Sequence, residues 1–164
     1  MLKENPDLYV NLNQYSNDAN WKAHYETTAK EIWFQMNENI DYVVAGLGTS
    51  GTIVGVSKFL KEKNSNIKVI GVNPFENDKV DGLKNYKNTS VPSIFYRKSV
   101  DEIVYVNRED TLLQLNELVR KEGILAGISS AASLKVAIDL SKKIKSGRIV
   151  VIFPDRIEKY LEGI

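Results

Sequence analysis

With 164 residues, 43% of them hydrophobic and 26% charged, the chain has room for one domain with a substantial core. Its 22 basic and 21 acidic residues leave a net charge of +1, which gives no ground for expecting nucleic acid or an anionic membrane as a partner. Cysteine is absent, which excludes disulfides, thiolate-bound zinc and a thiol nucleophile.

No apolar run approaches membrane-spanning length, and Met1-Leu2-Lys3-Glu4-Asn5-Pro6 is too polar for a secretory signal. A cytoplasmic setting is expected, with no metal site. Residues 1–20 are polar and turn-rich, with Pro6 and asparagines at 11, 13, 17 and 20, and read as an irregular segment. A helix is expected over His24–Met36, with Thr27 or Thr28 near its start. Ile32 and Met36 lie four apart on it, and Trp33 adds a bulky contact for a sheet. His24 is the only histidine; with no acid or nucleophile beside it, it reads as structural.

Tyr42–Leu47 is a short apolar run rich in β-branched residues and reads as a buried strand. Glycines follow at 46, 48 and 51. Ile53, Val56 and Leu60 then recur at helical spacing on a segment closing with Lys58, Lys61 and Lys63. Strand, glycine loop and helix form an anion-binding arrangement: the free N–H groups and positive dipole end favour a phosphate, and glycine admits it closely. Thr49, Ser50 and Thr52 add hydroxyls that can converge on one phosphate monoester. If position 50 needs a positive φ, serine narrows the backbone's freedom there.

The same residues can be written G-x-G-x-x-G, the dinucleotide fingerprint. That reading expects an acidic residue on the second strand to hold a ribose, but Ile67–Val72 runs into Asn73-Pro74. A P-loop is excluded because no Gly-Lys-Ser/Thr follows the glycines. A strand–turn–helix with glycines for packing alone is the bland alternative.

Glu76–Ser99 is a long irregular segment, of a length usually functional or mobile. Glu102–Val106 alternates as a strand. Asp110 or Thr111 then caps a helix with Leu112, Leu115, Leu118 and Val119 on its apolar side, ended by Gly123. Gly127–Ala132 opens another helix, with Ser129 as N-cap, Leu134, Ile138 and Leu140 inward, and Lys142, Lys143 and Lys145 at its end. Arg148–Phe153 is a buried strand stopped by Pro154-Asp155. Strands alternating with helices predict a doubly wound α/β domain, three layers α/β/α around a mostly parallel sheet.

Gly46-Leu47-Gly48-Thr49-Ser50-Gly51-Thr52-Ile53-Val54-Gly55-Val56 resembles the cofactor-phosphate loop of cysteine synthases and cystathionine β-synthases, the fold-type-II pyridoxal-phosphate enzymes. Their usual form is Gly-Thr-Gly-Gly-Thr, so Ser50 is a departure. Three further blocks are similar to the same family in the same order. Asn13–Asn20 resembles its domain crossover, Gln-Phe-Ser-Asn-Pro-Ala-Asn. Gly127-Ile128-Ser129-Ser130 resembles Gly-Ile-Ser-Ser-Gly, with Ala131 for the glycine. Asp155–Leu161 resembles Asp-Ser-Gly-Glu-Arg-Tyr-Leu, with Arg156-Ile157 divergent. His24-Tyr25-Glu26-Thr27-Thr28 has a counterpart there as well.

The resemblance implies the large C-terminal domain of these enzymes. Gly48, Thr49, Ser50, Gly51 and Thr52 would hold the phosphate of pyridoxal 5'-phosphate, and Ser129 would meet its pyridine nitrogen. A neutral hydroxyl there leaves the ring a weaker electron sink, which suits β-elimination and replacement. Gln14 would lie near the carboxylate of a small amino-acid substrate, with Gly82 and Lys84 in the segment that closes over it. Leu83-Lys84-Asn85 resembles the Leu-Arg-Asn of a branch using O-phosphoserine; lysine can hold a phosphate, but as a point charge.

The resemblance further implies a chain in two parts: 1–20 as crossover from a missing N-terminal domain, and 21–164 as the phosphate-binding domain. The family's Schiff-base lysine belongs to the missing part. Lys58 and Lys142 follow serines here but read as solvated helix positions. The expected function is therefore part of a cysteine synthase, replacing the ester of O-acetylserine or O-phosphoserine with sulfide. It would be inactive alone and completed by a lysine-bearing N-terminal half, and an uncovered sheet edge implies homo-oligomerisation. The alternative is a non-catalytic domain that binds a phosphate ester or a protein partner.

Overall fold

A computed structural model describes residue 5 and residues 7–163, with side chains to Tyr160. Residues 1–4 and 6, the start of the expected crossover segment, and the Leu161 side chain lie outside the described residues. The elements in chain order are α1 (Ala19–Glu26), α2 (Thr28–Gln35), β1 (Tyr42–Gly46), α3 (Gly51–Lys63), β2 (Lys68–Pro74), β3 (Glu102–Val106), α4 (Arg108–Glu122), α5 (Ile128–Ser141) and β4 (Ile149–Val151). Short 3-10 turns cover Arg97–Ser99 and Ile157–Gly163.

Among the described residues the sheet has four strands, all parallel, in the order β3-β2-β1-β4. The central strand β1 pairs Val43 with Val69 on one side and Val150 on the other. Successive β1 side chains alternate faces. Val43 and Ala45 pack toward α2 and α3, against Trp33, Val56 and Leu60 or Ile53 and Val54. Val44 packs the other way, with Ile70 and Val72 of β2, against Leu115 of α4 and Ile128, Ala132 and Val136 of α5. Helices on both faces make the three layers that the sequence predicts.

The helix expected over His24–Met36 is two helices, broken at Thr27 (φ −120°, ψ −82°), and the first begins at Ala19. Among the described residues of α1 none is fully buried, and only Trp21 and Tyr25, four apart, turn partly toward the core. It exists because it lies on α3 at Gly55. A Cβ there would collide with the Trp21 carbonyl oxygen and stand 2.8 Å from His24 Cβ. Lys58, expected in solvent, instead stacks its ammonium over the Trp21 ring, 3.6 Å from the centroid, where α1 crosses α3.

Two caps are displaced from their expected places. Asn107 caps α4, its Oδ1 accepting from the Asp110 N–H at 2.7 Å, so Asp110 and Thr111 lie inside the first turn. Gly127 is the N-cap of α5, and Ser129 is buried within its first turn. On α5 the buried stripe is Ala131, Ala132, Val136 and Ala137; Leu134, Ile138 and Leu140, expected inward, are only half-buried. Small residues face the sheet there because α5 packs closely on β1. β4 is also shorter than Arg148–Phe153 and half-buried, since β1 covers only one of its edges.

Leu8 closes a turn on the Asn5 carbonyl and residues 9–12 follow without regular structure; Leu8, Val10 and Leu12 are 77%, 82% and 73% exposed. Together they leave a run of large apolar side chains in water.

Candidate functional site

The chain leaves β1 toward β2 on one side, while β4 joins on the other. The carboxyl end of β1 is thus the switch point where doubly wound sheets open a crevice. Leu47–Ser50 lies there and leads into α3, whose first N–H groups have no partner within the helix. Ser50 is buried in left-handed backbone (φ 72°, ψ 4°). The position does need a positive φ, and serine occupies it under strain.

Each loop hydroxyl is engaged from behind by a residue that the sequence reading gave no part in the phosphate site. Asn20 Nδ2 donates to Thr49 Oγ1 at 3.1 Å and to the Gln14 carbonyl at 2.7 Å. Its carboxamide fills the space beside Gly51 that a Cβ would require. Ser50 Oγ is hydrogen-bonded to Tyr86 Oη, and Tyr86 donates to the Gly48 carbonyl at 3.0 Å. Thr52 Oγ1 is 3.1 Å from His24 Nε2, whose Nδ1 is 3.0 Å from Thr28 Oγ1.

Burial holds the His24 imidazole below its ordinary value of 6.5, which favours the neutral ring. Burial also pushes the Tyr86 phenol up to about 12, against the opposing Ser50 hydrogen bond. Tyr86 therefore stays protonated and, donating to Gly48, draws the Ser50 proton to itself. Thr49 differs: its oxygen receives the Asn20 N–H, so its own proton remains for a ligand.

The loop's glycines face the second group of expected residues. Gly82 (φ 85°) presents its carbonyl 3.6 Å from where a Gly48 Cβ would stand. A Cβ on Gly82 would in turn stand 2.8 Å from Ser129 Oγ and 3.3 Å from Tyr160 Oη. Tyr160 donates to Asp155 Oδ2 at 2.6 Å, while among the described residues Asp155 Oδ1 is buried without a partner. Burial, with the Asp155 hydrogen bond and charge, raises the Tyr160 phenol.

Lys84 is anchored by its N–H to the Leu47 carbonyl at 2.8 Å, and its ammonium stands 4.4 Å from the Tyr15 ring centroid, next in sequence to Gln14. Gln14 is exposed, held through its backbone by Asn20. Of the nine expected residues, the loop Gly48–Thr52 comes together with Gly82 and Ser129, while Lys84 and Gln14 are tied to this group through their backbones. Asn20 stood inside the Asn13–Asn20 block and His24 beside it, but no spacing rule pointed to their partners. Tyr86, Asp155 and Tyr160 sit outside regular helices and strands and gave no periodic signal.

The donor set suits a phosphate monoester: backbone N–H groups, a free threonine proton, and glycines at the approach. Among the described residues no group of three or more His, Cys, Asp or Glu could hold a metal, and no helix is long and apolar enough to cross a membrane.

A family model described as "Pyridoxal-phosphate dependent enzyme" matches residues 1–155. The chain is 43% identical to a cysteine synthase of Aquifex aeolicus, over 98% of this chain and 51% of that protein. It superimposes on a hydrogen sulfide-producing enzyme of Fusobacterium nucleatum with a TM-score of 0.90 and 38% identity, covering 97% of this chain and 57% of that one. A cysteine synthase (OASS) of Entamoeba histolytica gives 0.91 at 34% identity, covering 99% and 51%. The chain spans about half the length of the curated relatives it matches.

Proposed function

The chain belongs to the pyridoxal-phosphate dependent enzyme family, and from that premise we propose that it forms the cofactor-phosphate half of a cysteine synthase-like enzyme. The observation that carries this is the crevice itself: the Thr49–Thr52 loop at the start of α3 opposes Gly82 and Ser129 across the switch point. When bound, pyridoxal phosphate supplies the electron sink for replacing the ester of a serine derivative with sulfide.

In this reading the α3 N–H groups, Gly48, Gly51 and the hydroxyls of Thr49 and Thr52 grip the phosphate, with Ser50 contributing backbone. Ser129 offers a neutral hydroxyl to the ring nitrogen, which keeps the ring from acting as a transaminase sink. Gln14 orients the substrate carboxylate. Lys84 and Gly82 close over the substrate, and the Lys84 ammonium favours O-phosphoserine over O-acetylserine. Residues 1–20 act as a crossover, 21–164 as the binding domain, in a cytoplasmic homo-oligomer.

In this reading the cofactor-anchoring lysine belongs to the N-terminal half of the enzyme. The exposed Leu8, Val10 and Leu12 support this, since large apolar side chains in water call for a covering surface.

The test is a titration of the chain with pyridoxal phosphate and with pyridoxal, followed by mixing with a lysine-bearing half of a cysteine synthase, sulfide and each serine ester. Saturable binding that loses at least about tenfold without the phosphate, and cysteine formed only in the mixture, are expected. Equal binding of the two aldehydes would remove the phosphate site from the proposal. Failure of the mixture to make cysteine would leave a phosphate-binding domain.

A further inference from the structure

Helix α1 presents Asn20 and His24, one helical turn apart and hence on one face, to two threonines of the loop. For Asn20 the direction of the hydrogen bond is fixed: its Nδ2 can only donate, so Thr49 keeps its proton. For His24 the direction depends on which ring nitrogen carries hydrogen. A phosphate monoester dianion only accepts hydrogen bonds. A Thr52 hydroxyl that donates to His24 has no proton left for it, whereas one that receives from His24 does.

We propose that His24 is a positioning residue for the phosphate site, holding Nε2–H toward Thr52 Oγ1 so that the Thr52 proton points into the loop. Thr28 sets this tautomer, its hydroxyl donating to Nδ1 over 3.0 Å. The relay runs Thr28 O–H to Nδ1, Nε2–H to Thr52 Oγ1, and Thr52 O–H to the ester, with no proton transferred along it. Three further features agree. The ring is half-buried and disfavoured as a cation, so one nitrogen is free to accept. Gly55 lets α1 come close enough for the ring to reach Thr52. Asn20 makes the same kind of donation one turn earlier, so α1 backs both threonines in one sense. The inference rests on the phosphate-site reading above.

The chain has a single histidine, so ring ¹⁵N NMR reports this one residue. With saturating pyridoxal phosphate, the Nε2–H tautomer with Nδ1 in the acceptor range is expected. His24→Leu should weaken pyridoxal phosphate about tenfold and leave pyridoxal unchanged, while His24→Gln, which keeps an N–H donor, should recover most of the loss. In a Thr52→Val background His24→Leu should add less than about a twofold effect, because its target is gone.

An Nδ1–H tautomer, or losses from His24→Leu and Thr52→Val that simply add, would overturn the proposal while leaving the phosphate site standing. A wild-type chain that binds pyridoxal and pyridoxal phosphate alike would overturn both. If His24→Leu fails to fold, the wild-type tautomer and His24→Gln still decide.

Discussion

The carboxamide of Asn20 occupies the space that a side chain at position 51 would need, while donating to Thr49 Oγ1 and the Gln14 carbonyl. One side chain thus fixes the loop's shape, ties the crossover segment to it, and makes glycine obligatory at the first residue of α3.

Gly51→Ala should displace Asn20 and break both of its hydrogen bonds, at a cost of about 1–3 kcal/mol. Asn20→Ala, which removes the colliding group, should make Gly51→Ala nearly free. Urea unfolding of the two single variants and the double variant measures the coupling, and strict additivity would contradict the account.

Ser50 carries left-handed strain and the hydrogen bond to Tyr86. Ser50→Ala loses the bond and keeps the strain; Ser50→Gly loses the bond and relieves it. Glycine should therefore be more stable than alanine at this position by about 1 kcal/mol. Tyr86→Phe should abolish any difference between serine and alanine. Unfolding midpoints of the wild type, the three single variants and the Ser50→Ala/Tyr86→Phe double variant give the comparison.

The depressed pKa of His24 makes stability depend on pH with a definite sign. Below the unfolded value near 6.5 the unfolded chain binds a proton that the folded chain resists. The stabilisation is fully present above that pH and is lost as pH falls toward the lower folded value. His24→Gln should flatten the curve in this window and leave the acid limb unchanged. Chemical unfolding across pH 5 to 8 shows it.

Asp101, just before β3, makes three contacts to two elements: Lys61 of α3 at 2.7 Å, and the Val69 N–H at 2.8 Å and Lys68 at 3.5 Å, both of β2. Burial would raise its carboxyl, but the Lys61 and Val69 hydrogen bonds and the two lysine charges hold it below the usual carboxylate range. Asp101→Ala should destabilise the fold by about 1–3 kcal/mol, because it strands the Val69 N–H and unpairs Lys61. Binding of pyridoxal phosphate, at the far end of the strands, should be unchanged.

Much of this protein was legible in its sequence because its core obeys local periodicities. Strand β3 and helices α3 and α4 follow from apolar spacing and punctuation, α5 follows from its glycine start and lysine-rich end, and the alternation of elements dictates the layered α/β fold. The phosphate loop was legible too, since glycines between a strand and a helix have one common physical use. What the sequence left undetermined depends on contacts between distant segments. Helix α1 has no fully buried residue among those described, only the partly buried apolar pair Trp21 and Tyr25, and forms because Gly55 leaves it a seat. The loop hydroxyls are engaged by Asn20, His24 and Tyr86, which lie 29, 28 and 36 residues from the groups they contact. Hydrogen bonds of that span have no period, so only the tertiary structure decided which residues stand behind the phosphate loop.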